Sequence, residues 1–215
     1  MPLPMVYLAV AYELRDEAFA GADKAAYFLG ANAPDSIHKR EGWVSRDKQV
    51  SHLTLDLPKE DKHALLQERI LALWAQREGE ALADSFRAGY VVHLLTDMVW
   101  NKYLYHPIFK AAYEADAAPV QDINAAYYND TDLIDLYLYQ NEAWRADVFG
   151  LLAQKSGYDF EDKVSSGEVE LWRDHILSFY DRMDLARYQP VRYIQPEDIY
   201  RFIAQAADMI REIMR

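Results

Sequence analysis

Cysteine is absent from this chain of 215 residues. Disulfides, thiolate metal sites and cysteine nucleophiles are therefore excluded together, and the redox compartment stays open. Glycine and proline are scarce, 8 of each, which is too few turn-formers for a many-stranded β protein. Basic residues are outnumbered: 23 Lys and Arg stand against 35 Asp and Glu, a net charge of −12. That deficit argues against a partner of duplex nucleic acid, whose binding needs cations to displace counterions from phosphate. It leaves a phosphate-ester substrate open, because a bound divalent ion supplies positive charge locally. No apolar run is long enough to span a bilayer, so no transmembrane segment is expected. The opening Met1-Pro2-Leu3-Pro4-Met5 lacks the basic region of a secretory signal, and a cytoplasmic soluble protein is the expectation.

What is present is ordinary for a globular domain: 51% hydrophobic and 27% charged residues. The apolar periodicity is helical. Val6, Ala9, Val10 and Leu14 predict a first helix ending near Arg15-Asp16, and Ala22 to Gly30 a short one with Gly30 as its stop. Residues 31–58 break the pattern. Ala31-Asn32-Ala33-Pro34-Asp35 is turn chemistry, a polar stretch follows to Lys48, and Val50 to Leu55 reads as extended up to Leu57-Pro58. Pro58-Lys59-Glu60-Asp61 opens a helix that reaches about Arg77. A longer helix covers Glu80 to Tyr105, with Pro107 ending or kinking it. Phe109–Ala115, Val120–Asn141, Trp144–Gln154, Glu168–Met183 and Glu197–Met214 complete the helical set, with 187–195 as a connector. The expected architecture is all-α, one single-domain multi-helix bundle over residues 1–215.

Chemistry concentrates in Gly89-Tyr90-Val91-Val92-His93-Leu94-Leu95-Thr96-Asp97-Met98-Val99-Trp100. His93 and Asp97 are four residues apart, so on a helix they share one face about one turn apart. An imidazole and a carboxylate so placed can converge on one divalent ion, whose ligand bonds are about 2 Å long. The surrounding Val92, Leu94, Leu95, Met98 and Val99 imply burial, where a lone carboxylate must be paired, hydrogen-bonded or metal-bound. A core hydrogen bond between His93 and Asp97 satisfies the same constraint. The pattern recurs at His52 and Asp56, in a segment expected to be non-helical. The irregular stretch adds Asp35 and His38 after a proline turn, and His52 after Ser51. Imidazole and carboxylate donors without thiolate suit Zn, Mn or Fe.

These segments resemble the zinc-dependent phospholipase C family, whose all-α fold is shared with fungal single-strand-specific nucleases. The resemblance lies in Met5 to Ala11, Phe28-Leu29-Gly30 with Ala33-Pro34-Asp35, Lys48 with Ser51-His52-Leu53, and Gly89-Tyr90 through His93 and Asp97 to Trp100. It covers residues 1 to 105. It implies that Asp35, His52, His93 and Asp97 hold one zinc ion, with water completing the shell. His38 is then a ligand, a substrate contact or an acid–base group. Tyr7 stands where family members usually carry a further His ligand, and a phenol, with a pKa near 10, is a poor substitute. The later His and Glu ligands of the trinuclear members have no counterpart: His106-Pro107 is displaced, and His175 is followed four residues on by Phe179. One metal ion is the expectation.

The function implied is a metal-dependent hydrolase of phosphate esters that uses a metal-activated water, phospholipase C-like, with Asp35 or His38 assisting deprotonation. The acidic chain points to a small soluble or zwitterionic ester as the small-molecule substrate. The alternative is a non-catalytic helical protein that retains one structural or regulatory metal, and a third reading is a metal-free interaction module. Asp130-Thr131-Asp132 begins like a calcium loop, but Ile134 and Asp135 replace its later ligand and turn glycine. The stretch from Tyr127-Tyr128 to Tyr137-Leu138-Tyr139 reads as core or groove packing, and its rings and hydroxyls would also suit a cleft.

Overall fold

The computed structural model describes residues 3–15, 20–58 and 60–214. Its α-helices are α1 (Pro4–Glu13), α2 (Lys24–Gly30), α3 (Ser45–Ser51), α4 (Lys62–Ala75), α5 (Ala81–Trp100), α6 (Ala111–Ala115), α7 (Ile123–Asn141), α8 (Arg145–Gln154), α9 (Ser166–Phe179) and α10 (Pro196–Ile213). Short 3₁₀ turns occur at Ala33–Lys39, Tyr180–Arg182 and Leu185–Arg187. No strand occurs among the described residues, and the fold is an all-α bundle. None of these helices is long and apolar enough to cross a membrane.

Two helices are apolar nearly all round, and such helices belong in the interior. In α1 every residue from Pro4 to Ala11 is buried. In α5 the buried run extends from Ala88 through Thr96. Around them the others present one face each. In α10 that face is Ile199, Phe202, Ile203, Ala206, Ala207 and Ile210, at the i, i+3, i+4, i+7 spacing of an amphipathic helix. Phe202 meets the α5 Trp100 ring edge-on at 4.8 Å.

The α2–α5 crossing is set by two glycines. A Cβ on Gly89 would stand 1.9 Å from the Tyr27 carbonyl oxygen, and one on Gly30 would stand 2.1 Å from that of Phe86. Gly30 was expected as a helix stop; it is the last residue of α2, and its missing side chain lets the two backbones touch. Gly89→Ala should therefore push α2 from α5 and cost about 1–3 kcal/mol, the usual penalty of overpacking. Denaturant unfolding checks this, and an unchanged midpoint would refute the close-contact argument.

The helix N-terminus at Pro4 has no side-chain cap of its own. Asp135, fully buried on α7, supplies one from across the bundle. Its carboxylate accepts from the Met5 N–H (3.3 Å), the Val6 N–H (3.1 Å) and the Tyr180 hydroxyl (2.5 Å). Asp130 does the same for the connector, accepting from the backbone N–H groups of Arg192, Tyr193 and Ile194. Asp130, Thr131 and Asp132 thus lie on a helix, not in a calcium loop.

Several expectations are corrected. Val50 to Leu55 is not extended: Val50 and Ser51 end α3, His52 caps it, and Leu53 turns away with φ 57°. The polar run Ser45 to Gln49 is helix-competent once Asp47 accepts the Val44 N–H at 2.8 Å, one half of a capping box. Pro107 neither ends the helix nor lies in an α-helix. The chain leaves α5 through a π-helical segment, Asn101–Lys110, before entering α6. A proline removes one backbone donor and crowds the carbonyl a turn earlier, and the wider π turn accommodates both. The first helix ends at Glu13; its expected terminus Asp16, like Met1, Pro2 and Lys59, lies outside the described residues.

Candidate metal centre

Three side chains from separate elements meet beneath α3. His93 comes from the middle of α5 and is fully buried. Asp35 sits in the first turn of the Ala33–Lys39 3₁₀ segment, started by Pro34, and His52 is the cap residue of α3. Each offers a ligand atom, and these atoms all lie within 4.8 Å of one another. Asp35 Oδ1 is 3.4 Å from His52 Nε2, and Asp35 Oδ2 is 3.9 Å from His93 Nε2.

The tautomers follow from the other ring nitrogens. His93 Nδ1 is 2.9 Å from the Ala31 carbonyl oxygen, which only accepts, so Nδ1 carries the proton. The glycine-mediated approach of α2 to α5 is what brings that carbonyl within reach. His52 Nδ1 is 3.1 Å from the Lys48 carbonyl oxygen and 2.8 Å from Ser51 Oγ, while Ser51 Oγ itself donates to Lys48 O at 3.2 Å. Nδ1 of His52 is therefore also the protonated nitrogen. In both rings Nε2 is left as a bare lone pair. Both Nε2 atoms are buried without a hydrogen-bond partner.

Burial pushes the His93 pKa down to about 4, against the opposing pull of Asp35 and Asp97, so the ring is neutral at pH 7. Burial alone would raise the Asp35 carboxyl, but the two imidazoles when protonated, and the Lys48 ammonium, outweigh it and hold Asp35 well below the usual carboxylate range. An anionic carboxylate facing two imidazole lone pairs, all desolvated, is repulsive unless a cation lies between them. Imidazoles fixed by Nδ1–H to carbonyl bonds are the arrangement of metal-bound histidines. The donor set therefore fits a divalent cation.

Asp97 stands beside this trio and outside it. Its Oδ2 is 3.6 Å from His52 Nε2, and its Oδ1 accepts from the Tyr7 hydroxyl at 2.6 Å. Tyr7 is fully buried and stacks on the His93 ring at 3.7 Å with 12° between planes. Burial first, then Asp97 and Asp35, drive its hydroxyl pKa well above 10, so it stays a neutral donor. Tyr7 thus supports Asp97 through a hydrogen bond and His93 through stacking. His38 lies 3.8 Å from Asp35 Oδ1 and accepts from Lys48 Nζ at 3.2 Å; burial and that ammonium lower its pKa.

Lys48 is the residue the sequence reading left without a role. Its carbonyl orients His52, and its ammonium donates to Asp35 Oδ1 at 3.2 Å. The signal was available as an i, i+4 pair, Lys48 and His52, once α3 is recognised as a helix. Lys48, His52 and Asp97 also line a cavity of about 530 Å³, walled by Trp43, Leu66 and Met98 among others. The trio is buried, and His52 is the member that lines this opening. No family profile, curated protein or solved structure matches the chain.

Proposed function

We propose that Asp35, His52 and His93 hold one divalent cation, zinc by the resemblance to the phospholipase C family, and that the protein is a phospholipase C-like hydrolase of small phosphate esters. Asp97 completes the shell from its place beside His52. The observation that carries this reading is the pair of buried, partnerless Nε2 atoms aimed at one carboxylate beside an open cavity. When bound, such an ion supplies charge for a phosphoryl oxygen and acidifies water.

The chain's own residues supply the rest. Lys48 and Lys62 are cavity-wall cations and Asp97 is its one carboxylate, so an anionic ester is drawn in despite the net charge of −12. Trp43, Leu66 and Met98 give an apolar wall for the leaving group. His38 accepts from the Lys48 ammonium, which also donates to Asp35. Because that contact occupies His38 Nε2, Asp35 or Asp97 is the better placed proton acceptor.

Protein purified from zinc-supplemented growth should carry stoichiometric metal and hydrolyse a member of a phosphodiester and phosphomonoester panel, with turnover abolished by chelator and restored by zinc. Assayed at saturating zinc, because Lys48 also donates to Asp35, Lys48→Met should raise KM about tenfold, the loss of roughly 1.4 kcal/mol of charge-assisted binding. Chelator-insensitive turnover would overturn the proposal. Stoichiometric metal without turnover on any ester would favour the second reading, a structural or regulatory metal. The observation behind that reading is that Tyr7, a hydrogen-bond donor to Asp97, fills the place where a second metal's ligand is expected.

A further inference from the structure

A second cavity, of about 800 Å³, lies between the N-terminal half of α7 and the connector around 187–193. That volume is within the range of small-ligand pockets. It takes up part of the tyrosine-rich stretch that the metal centre leaves unused. Tyr128, Asp132, Tyr188, Val191 and Tyr193 are among its walls. Tyr193 is buried, whereas Tyr128, also a lining residue, is a large ring left 58% exposed.

Four charged side chains line the cavity, and three are committed elsewhere. Arg192 pairs with Asp116 at 2.5 Å and donates to the Ala118 carbonyl. Arg187 pairs with Asp184 at 3.2 Å on the outer surface, with its side chain 82% exposed. Asp130 is saturated by the backbone N–H groups of residues 192 to 194. Asp132 remains. Its Oδ2 accepts from the Tyr188 hydroxyl at 2.9 Å, and no cationic side chain pairs with it among the described residues. One uncompensated, half-buried carboxylate among tyrosine rings is the setting that recognises an organic cation, which gains from both the charge and the ring faces. A lone carboxylate is too few donors for a divalent metal ion. The engaged arginines leave little for an anion.

We propose that this cavity binds a small organic ammonium ion, with Asp132 as its counter-ion and Tyr128 and Tyr188 as its aromatic walls. The site is separate in its residues from the metal centre and does not depend on the hydrolase reading.

Calorimetric titration of the full chain with four probes of one size tests it: benzyltrimethylammonium, benzylamine, benzyl alcohol and benzoate. The cations should bind at least tenfold more tightly than the alcohol and the benzoate. Asp132→Asn keeps an acceptor for Tyr188 and should bring cation affinity down to that of the alcohol without shifting the melting temperature. Tyr128→Ala, at an exposed position that folding does not need, should weaken the cations several-fold. Four results would overturn the proposal: benzoate binding as well as the cations, the alcohol matching them, Asp132→Asn leaving cation affinity unchanged, or no cation binding up to about 10 mM, a free energy near −3 kcal/mol.

Discussion

Asp35→Asn lowers the affinity for zinc by more than the 10–100-fold that loss of an outer-shell partner costs, because it removes the carboxylate that groups with both His52 and His93. The substitution suits the purpose. An asparagine amide can donate to the imidazole lone pairs that face Asp35, so the fold survives and the change reads binding, not unfolding. Tyr7→Phe provides the scale. It deletes one hydrogen bond to Asp97 while keeping the stack on His93, so its effect should fall within the outer-shell range. Titration with zinc, followed by calorimetry, checks both. Equal, small losses in the two variants would mean that Asp35 is not a direct ligand.

Asp135→Ala should produce a large loss of stability. Three donors, the Met5 and Val6 N–H groups and the Tyr180 hydroxyl, lose their acceptor where water does not reach. At about 1 kcal/mol or more for each stranded group, the cost is roughly 3 kcal/mol. For a chain of this size that lowers the melting temperature by about 6–12 °C. The effect propagates, because α1 carries Tyr7 and so the Asp97 contact. A variant that melts with the wild type would show that α1 needs no cap from α7.

The same residue carries a pH signature. Burial outweighs its three donors and pushes the Asp135 carboxyl up to about 7, above its ordinary value of 3.8. The folded state then holds a proton that the unfolded chain has released. Stability from this group is present in acid and declines as pH rises towards about 7, then levels off. Asp35 works in the opposite sense, since its depressed pKa yields stability that is lost as pH falls. The Asp135 contribution is therefore measured as the difference from Asp135→Asn, in which the decline between pH 5 and 7 should vanish. An identical pH profile in the variant would contradict the assignment.

The helical class and the partners in the centre were readable to different depths. The apolar stretch from Gly89 to Trp100 declared a buried helix, and a histidine on it had to be satisfied by something. Asp35 and His52 drew notice only through residue type and a proline turn, since their convergence on His93 is a long-range fact that no local pattern encodes. The spacing of His93 and Asp97 suggested equal partners. In the fold, Tyr7 takes one oxygen of Asp97, and Asp97 faces His52, not the whole trio. The extended reading of 50–55 failed because β-branched and apolar residues were weighed over the Asp47 cap and the helix formers before them. That error concealed Lys48, whose role exists only if it lies one helical turn before His52. The roles of Gly30 and Gly89 were equally hidden, because a close backbone approach leaves the same letter in the sequence as a turn.

Zinc-edge anomalous diffraction from crystals grown with zinc tests the central claim most directly. The account predicts one strong peak among the three side chains, about 2.0–2.2 Å from His52 Nε2, His93 Nε2 and an Asp35 oxygen. Crystals that show zinc only on the surface, with those two imidazole nitrogens bonded to protein groups instead, would contradict it.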